Sequence, residues 1–317
     1  MKVSIIIVNY RVPQLLNACL ASIRNQVKVQ YEVIVTDNAS NDGSVEMIRE
    51  KHPWVKLIAS PVNTGFSAGN NLAMPFATGD YIFFLNPDTI VVKDSVDVLC
   101  QYLDSHPETG LVAPRLLNGD GSLQRSIRNF YSFSETLLDN RLFPFLFSGS
   151  AWFQKNSLTF WQHDSERSVD WAKGAALLVR KSILDKIGYF DEQFWIYGEE
   201  MDLCYRIIKE GWKIDFTPAA EIIHFEKQSS RQHNSVMFIQ NYKSFYLFLL
   251  KHYLGYDFQL YRFRAVSIIL AWFCFFKVKS WFSGNPDDQA ESKKYKEVFT
   301  WHLNLKSNLK KPFIAPK

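Results

Sequence analysis

The chain has 317 residues, of which 47% are hydrophobic and 15% aromatic, so it is long enough for one large domain with its own core and an appendage. Its four cysteines are widely spaced without a paired-ligand pattern, which argues against a disulfide framework or a zinc site and fits a reducing compartment. The opening "MKVSIIIVNY" has too short an apolar run for a secretory signal and is typical of a buried first strand.

The formal net charge of +4 is unevenly distributed along the chain. Residues 1–226 carry a net charge of −6, whereas residues 227–317 carry +10. A basic tail on a mildly acidic body is compatible with binding to an anionic membrane surface or to nucleic acid.

The first 115 residues alternate between strand and helix patterns. Because near-continuous apolar strands are typical of a sheet buried on both faces, this alternation predicts an open, mainly parallel α/β sheet. Ligands of such sheets bind at the carboxyl ends of the strands. The predicted strands are 3–10, 31–37, 55–60, 80–86 and 110–114, and the predicted helices are 13–26, 43–52, 66–77 and 93–105.

Short polar residues follow four successive predicted strands. The first strand ends in Asn9 and Tyr10, and the next three run into "TDNASNDGS", "NTGFSAGNN" and "NPDT". Each segment alone is more often an ordinary turn or helix cap than a site. All four on one edge of the sheet favour a site for a polar ligand.

Residues 115–172 are less regular and rich in aromatic residues and arginine, which indicates a loop-and-helix insert over the site. The segment "WKIDFTPAAEIIHF" that comes later predicts a final strand pair ending in His224.

Three carboxylates, Glu199, Glu200 and Asp202, open a predicted helix directly after the apolar run "FWIYG". One explanation is structural, since acids complement the dipole of a first helical turn, and Asp202 can pair with Arg206 four residues on. The other explanation is functional, because clustered carboxylates raise one another's pKa and are suited to acid–base chemistry.

Together these segments resemble glycosyltransferase family 2, the inverting nucleotide-sugar transferases with a GT-A fold, and within it the rhamnosyltransferase-like group. The resemblance runs from about residue 3 to residue 230. It implies an α/β, Rossmann-like GT-A catalytic domain at residues 1–230 and a basic, aromatic-rich helical C-terminal extension at 231–317. The segments that carry it, in order, are "SIIIVNY", "TDNASNDGS", "NTGFSAGNN", "LNPDT", "GAALLVRK", "GYFDEQFWIYGEEMDLCYR" and "IIHF".

The resemblance implies that the base and ribose of a nucleotide sugar lie against the ends of the first two strands. Asn9, Asp37 and Asn38 match those positions, and Asp37 would accept a hydrogen bond from a base N–H or a ribose hydroxyl. The segment "NTGFSAGNN" matches the one that closes over the nucleotide. Its candidate residues are Asn63, Gly65 and Asn70.

The segment "NPD" stands where the family has a metal-binding Asp-x-Asp. Asp88 is the retained carboxylate and would bind Mn²⁺ or Mg²⁺ bridging the diphosphate. Asn86 replaces the first Asp and would act through water or the ribose. His224 matches a family position that completes the metal sphere, and the alternative for it is a satisfied buried histidine near a strand end.

The acidic cluster matches the family's Glu-Asp pair, whose second acid is the general base. That position is Glu200, with Glu199 as its support or as the base if the register is one residue off. Burial by the preceding aromatic residues would raise the pKa of the base toward useful values. A single displacement with one base inverts the anomeric carbon, so no covalent glycosyl-enzyme intermediate is expected.

The tail contains an apolar run, Ala265–Phe276, flanked by Arg262, Arg264, Lys277 and Lys279. Twelve residues are fewer than the roughly 20 needed to span a bilayer, and aromatics beside Lys and Arg suit an interfacial helix. The alternatives are a helical hairpin packed on the catalytic domain or a dimer interface.

The resemblance implies two partners, a nucleoside-diphosphate sugar and a glycan or lipid-linked acceptor in cell-surface polysaccharide synthesis. By the same resemblance the "NPD" variant favours deoxythymidine-diphosphate (dTDP) rhamnose as the donor, and uridine-diphosphate hexoses are the open alternative. Nucleic acid is not an expected partner, and the expected location is the cytoplasm at the inner face of the plasma membrane.

Three other interpretations are a processive synthase, from "QSSRQ" at 228–232, a sugar-1-phosphate nucleotidyltransferase, and a non-catalytic scaffold. A missing Trp argues against the first and a missing Gly-rich loop against the second, whereas retention of the acids and His224 argues against the scaffold.

Overall fold

The structure is a computed structural model that describes residues 2–130, 161–225 and 234–311. The chain divides into two compact units. The N-terminal unit comprises Met1–Glu192 and Glu199–Gln228, and the C-terminal unit comprises Gln193–Gly198 and Ser229–Lys317. The "QSSRQ" segment lies outside the described residues.

The first half of the N-terminal unit alternates strands and helices, and every predicted strand and helix there is found within a few residues of its expected position. The short strand β5 was not predicted. The elements are β1 Lys2–Asn9, α1 Pro13–Gln26, β2 Gln30–Asn38, α2 Ser44–Lys51, β3 Lys56–Ser60, α3 Gly65–Ala73, a 3-10 turn Met74–Phe76, β4 Tyr81–Leu85, β5 Thr89–Val91, α4 Ser95–Ser105 and β6 Thr109–Leu117.

The second half begins with short strands on either side of residues 131–160. Those residues, and with them most of the predicted insert at 115–172, lie outside the described part of the chain. The predicted final strand pair is wrong, because one long strand, β12, occupies this segment. Its pairing with β6 continues past a register shift between Thr217 and Glu221, beside Pro218, which has no N–H to donate. The elements are β7 Leu123–Gln124, β8 Ile127–Arg128, β9 Arg167–Ser168, β10 Trp171–Ala172, β11 Ala176–Arg180, α5 Lys181–Ile187, α6 Glu199–Lys209 and β12 Lys213–His224.

The main sheet has the strand order β3-β2-β1-β4-β11-β6-β12-β5. Strands β1 to β4 are mutually parallel, and β11 runs antiparallel between β4 and β6. Because β12 is parallel to β6, it points the same way as β1. The carboxyl ends of β1, β2, β4 and β12 therefore lie at one edge of the sheet, which is where the predicted site residues Asn9, Asn38, Asn86 and His224 stand.

Hydrophobic side chains cover both faces of this sheet. Along β1, Ile5 packs in one cluster with Leu16 of α1, whereas the neighbouring Ile6 packs in a second cluster with Leu203 of α6. Alternate strand residues point to opposite faces, so both must be apolar when helices cover both sides. The predicted α/β fold class is confirmed.

The C-terminal unit is helical, with aromatic rings filling the space between its helices. Tyr246 contacts Phe258, with ring centroids 5.2 Å apart, and lies 6.3 Å from Trp301. Trp272 stacks on Tyr295, and Lys279 pairs with Asp288 at 2.8 Å, so the second and third helices form an antiparallel hairpin. The helices are α7 Asn234–His252, α8 Gly255–Ser283, α9 Pro286–Leu303 and α10 Leu305–Lys310.

Candidate active site

The ends of β1 and β2 form a buried polar group at the edge of the sheet. Asn9 and Asp37 are paired in register on neighbouring strands, and Asn9 Nδ2 donates to Asp37 Oδ1 at 2.7 Å. Ser40, which sequence reasoning missed, donates its hydroxyl to the same Oδ1 at 2.6 Å. Asn9 Oδ1 is buried and accepts no hydrogen bond from the described residues. This group therefore presents one unused acceptor beside a carboxylate whose orientation is fixed.

Asn38 holds the loop that follows β3. Its Nδ2 donates to Gly65 O at 2.8 Å, and its Oδ1 accepts from the Thr64 hydroxyl at 2.9 Å. Gly65 begins α3 with a φ of 87°, a left-handed conformation that favours glycine. Asn63 Oδ1 accepts from Gly65 N at 3.0 Å, and Asn70 Nδ2 donates back to Phe66 O at 2.9 Å. These amides shape the loop through hydrogen bonds to the protein's own backbone and side chains.

The structure brings together the three residues predicted around the metal. His224 Nε2, at the end of β12, lies 3.3 Å from Asp88 Oδ1 and 3.5 Å from Asn86 Nδ2. Asp88 and His224 are both mostly buried. Asp88 O also accepts from Phe225 N at 2.9 Å, which ties the turn after β4 to the end of β12. Asn86 Oδ1 is buried without a hydrogen-bond partner among the described residues.

These residues fit a divalent cation. A carboxylate, an imidazole nitrogen and an unsatisfied buried amide oxygen form a mixed donor set of the kind that Mn²⁺ accepts and that can be completed by diphosphate oxygens. Within residues 2–130, 161–225 and 234–311 there is no cluster of three or more His, Cys, Asp or Glu side chains that would hold a metal unaided.

Gln124, which sequence reasoning missed, contacts His224 twice. Its Oε1 lies 2.7 Å from His224 Nδ1, and its Nε2 donates to His224 O at 3.1 Å. Nothing in the sequence near residue 124 distinguishes this glutamine, because its role arises only when β7 pairs with β6.

The acidic cluster forms the first turn of α6, as predicted. Glu199 is buried, and its Oε2 has no hydrogen-bond partner among the described residues. Burial, together with the neighbouring Glu200 charge, raises the pKa of Glu199 well above its usual range. The raised pKa that the sequence predicts for Glu200 stays a prediction.

Glu200 lies against Gly174. A Cβ added at Gly174 would stand 3.4 Å from Glu200 Cβ and 3.8 Å from its carboxyl carbon, which are ordinary van der Waals distances, so the Glu200 side chain packs directly beside Gly174. The next residue, Ala175, accepts a hydrogen bond at its carbonyl from Asn86 N at 2.9 Å. Glu200 and the Asn86 end of β4 are thus connected through two consecutive residues of one short segment.

Asp202 has the structural role that its spacing predicts. It is fully buried and accepts from Arg206 Nε at 2.8 Å. Arg206 also donates to the carbonyl oxygens of Ile187, Gly188 and Tyr189. The pair therefore fixes α6 to the end of α5.

The fold is similar to that of solved nucleotide-sugar transferases. A crystal structure of GalNAc-T7 with UDP, GalNAc and Mn²⁺ matches with a TM-score of 0.59 at 14% identity, over 96% of this chain and 56% of that one. The mannosyltransferase PcManGT from Pyrobaculum calidifontis, in complex with GDP-Man and Mn²⁺, matches with a TM-score of 0.55 at 14% identity, over 97% and 87% of the two chains. The architecture is that of a GT-A glycosyltransferase.

Known glycosyltransferases are also similar to this chain in sequence. Residues 4–160 match the model of glycosyl transferase family 2, which confirms the predicted resemblance. The N-acetylglucosaminyl-diphospho-decaprenol L-rhamnosyltransferase of Mycobacterium tuberculosis is 28% identical over 79% of this chain and 85% of its own length. Rhamnosyltransferase WbbL of Escherichia coli is 28% identical over 70% and 83%.

Proposed function

We propose that the chain is an inverting glycosyltransferase that moves a sugar from a nucleoside diphosphate to an acceptor hydroxyl. The observation that carries this proposal is the juxtaposition of the Asn86–Asp88–His224 group with an acidic pair, of which Glu199 is buried and Glu200 half-buried. The pair is linked to that group through Gly174 and Ala175.

Glu200 is the general base in this proposal. Burial and the charge of its neighbour raise the pKa of Glu199, which makes Glu199 the worse carrier of negative charge, so the role of the base is assigned to Glu200. Its carboxylate takes the proton of the acceptor hydroxyl as that oxygen attacks the anomeric carbon. The bond to the diphosphate breaks on the opposite face, so the configuration inverts without a covalent enzyme intermediate.

Asn9 and Asp37 hold the nucleotide. The buried Asn9 Oδ1 is an acceptor without a partner among the described residues, and such an atom is costly unless a ligand donates to it. Asp37 would accept from the base or ribose, while Ser40 keeps its carboxylate oriented. Asn38, Asn63, Gly65 and Asn70 shape the loop over the nucleotide.

Asp88 and His224, with Asn86, would hold Mn²⁺ or Mg²⁺. The cation would neutralise the charge that develops on the leaving diphosphate. The support is the convergence of these side chains and the unsatisfied Asn86 Oδ1. Both solved structures described above contain Mn²⁺.

Rhamnose is the first donor sugar to test, and a lipid-linked glycan is the first acceptor. This choice rests on the two rhamnosyltransferases that are similar over most of their lengths, one of which is named for a decaprenol-linked substrate. The proposed pathway is cell-surface polysaccharide synthesis, and the proposed location is the cytoplasmic face of the plasma membrane.

The C-terminal unit would provide peripheral membrane association through α8. Among the described residues, α8 is the one helix long and apolar enough to cross a bilayer. Charge complementarity with an anionic leaflet comes from Arg264 and Lys277 beside its apolar positions. Its large exposed apolar side chains are Tyr256, Leu260, Phe263, Ile268, Leu270, Trp272, Phe275, Val278, Trp281 and Phe282.

The hairpin with α9 favours a helix lying in the membrane plane over one that spans it. Phe276 of α8 stacks on Tyr295 of α9 at 5.7 Å, so the two helices must enter the same environment. If α8 spanned the bilayer, the charged residues of α9 would enter the hydrocarbon with it. Each acidic or basic residue near the centre of the bilayer would cost roughly 2.5 to 3.5 kcal/mol. Those charged residues are Asp287, Asp288, Glu291, Lys293, Lys294, Lys296 and Glu297.

The deciding experiment measures release of nucleoside diphosphate from a panel of nucleotide sugars with Mn²⁺, Mg²⁺ or EDTA. A membrane lipid extract supplies acceptor, and Glu200→Gln is compared with the exposed Glu50→Gln as a matched control. Metal-dependent turnover of one donor that is lost only in Glu200→Gln supports the proposal. If Glu199→Gln loses turnover while Glu200→Gln keeps it, Glu199 is the base. A protein that binds a nucleotide sugar but never turns it over would be the non-catalytic scaffold.

A further inference from the structure

We propose that Gln124 is a positioning residue that fixes the tautomer of His224, so that Nε2 keeps a lone pair for the cation that Asp88 and Asn86 would also hold. The inference rests on the metal site of the proposed function and adds to it a residue outside the ligand set. It is carried by the hydrogen-bond pattern around one buried amide.

Gln124 is 5% exposed, and each of its polar atoms has a partner. Its Nε2 donates to His224 O at 3.1 Å and to Asn118 Oδ1 at 3.0 Å. Its Oε1 lies 2.7 Å from His224 Nδ1. One side chain thus binds both the backbone and the ring of the same histidine.

This pattern decides which way the amide of Gln124 is turned. A backbone carbonyl can only accept a hydrogen bond, so the atom facing His224 O must be the NH₂ group. The atom facing the imidazole is therefore the oxygen, which has no hydrogen to donate. His224 Nδ1 must carry a proton to make the 2.7 Å contact.

A neutral imidazole has one N–H, so a proton held on Nδ1 leaves Nε2 with a free lone pair. Nε2 is the nitrogen that lies 3.3 Å from Asp88 Oδ1 and 3.5 Å from the Asn86 amide. Histidines that bind metals are commonly oriented in this way, by donating the other N–H to a fixed acceptor. Gln124 offers no donor to Nδ1, so in the opposite tautomer the Nδ1 lone pair would face the lone pairs of Gln124 Oε1.

The hairpin between β6 and β7 holds Gln124 in place. Gln124 pairs in register with Leu116, and Asn118, in the turn between the strands, accepts from the Gln124 amide. Asn118 is itself held because its Nδ2 donates to the Ser122 hydroxyl at 2.9 Å. The tautomer of His224 is thus set through residues outside the proposed set of metal ligands.

The test measures Mn²⁺ binding by the electron paramagnetic resonance signal of free Mn²⁺, with and without dTDP. Gln124→Met keeps the approximate shape of the side chain but removes the acceptor at His224 Nδ1. We expect a ten- to hundredfold loss of Mn²⁺ affinity, which is typical when the hydrogen-bond partner of a metal-bound histidine is removed. The exposed Gln101→Met is the matched control and should bind as wild type does.

A second readout needs no metal. Long-range ¹H–¹⁵N correlations of labelled histidine report which ring nitrogen carries the proton, and His224→Ala identifies the signals of His224. The wild type should show the Nδ1–H form. Gln124→Met should show the Nε2–H form or a mixture of both. If Gln124→Met does not fold, Asn118→Ala loosens Gln124 without touching His224 and should give a smaller change of the same sign.

The outcomes separate this inference from the proposed function. A wild-type protein that never binds Mn²⁺ would overturn the metal site and this inference with it. Wild-type binding that Gln124→Met leaves within twofold, with an unchanged tautomer, would overturn only the role of Gln124. A retained Nδ1–H form with weakened binding would also overturn it, because Gln124 would then act on something other than the tautomer.

Discussion

The two units differ in which side chains they bury and which they expose. The edge of the sheet in the N-terminal unit buries polar side chains, whereas helix α8 of the C-terminal unit exposes apolar ones. At the sheet edge, polar groups such as Asn9, Asp37 and His224 are buried and held by specific hydrogen bonds. On α8, large apolar groups such as Trp281 and Phe282 are about four-fifths exposed. The unpartnered Asn9 Oδ1 at the sheet edge and the exposed aromatic side chains of α8 both cost free energy in water unless something else binds there. We therefore expect a polar ligand at the sheet edge and an apolar surface at α8.

The largest expected effect is on turnover, from a change at the acidic pair. Glu200→Gln keeps the shape of the side chain but removes the proton acceptor, so kcat should fall by about 10²- to 10⁴-fold. The affinity for nucleoside diphosphate, measured by calorimetry, should stay within a few-fold, because the nucleotide is proposed to bind at Asn9 and Asp37 and not at Glu200. Equal losses of turnover and nucleotide affinity would contradict the separation of base and binding group.

Two residues further along α6, a substitution should change stability instead. Asp202→Ala leaves Arg206 without its buried partner, and removal of one partner of such a pair costs about 3 to 5 kcal/mol of unfolding free energy. Urea unfolding measures the change. The exposed pair of Lys186 and Glu210 is the control, since Lys186→Ala should cost less than about 1 kcal/mol. A similar small cost at Asp202 would mean that Arg206 is held by the carbonyl oxygens alone.

The C-terminal unit is tested by sedimentation with vesicles of anionic lipid. Replacing Trp281 and Phe282 by serine removes two exposed aromatic side chains from the surface proposed to enter the interface. Binding should weaken by about tenfold or more, since each buried aromatic contributes roughly 1.5 to 3 kcal/mol when fully removed from water. Leu303→Ser, at an exposed position of α9, is the control and should leave binding unchanged. If the double variant binds vesicles as wild type does, or if it loses a dimer and not its vesicle binding, the dimer-interface alternative is favoured.

The same comparison shows why the sequence predicted one region better than the other. In the N-terminal unit, the alternation of strand and helix patterns was sufficient to place β1 to β4 and the polar residues that follow them. Strand β11 inserts antiparallel between β4 and β6, and β12 is one strand, because long-range pairing decides both. Gln124 and Gly174 acquire their roles only through such pairing and packing. For α8, a run of apolar residues is equally compatible with a core, a bilayer or a partner.

The smallest expected effect is a pH dependence of stability that comes from Glu199. In the unfolded chain this carboxyl loses its proton near the ordinary pKa of 4.5, whereas in the folded protein burial raises its pKa well above that value. Between the two pKa values the folded state holds the extra proton, so the free energy of unfolding falls as pH rises, by at most about 1.4 kcal/mol per pH unit. Glu199→Gln has no proton to lose, and its stability relative to wild type should therefore increase from pH 5 to pH 8.

Urea unfolding at several pH values measures this difference, and Glu50→Gln, at an exposed position, should run parallel to wild type. Parallel curves for Glu199→Gln as well would mean that Glu199 ionises normally in the folded protein, and the case for Glu200 as the charged member of the pair would be lost.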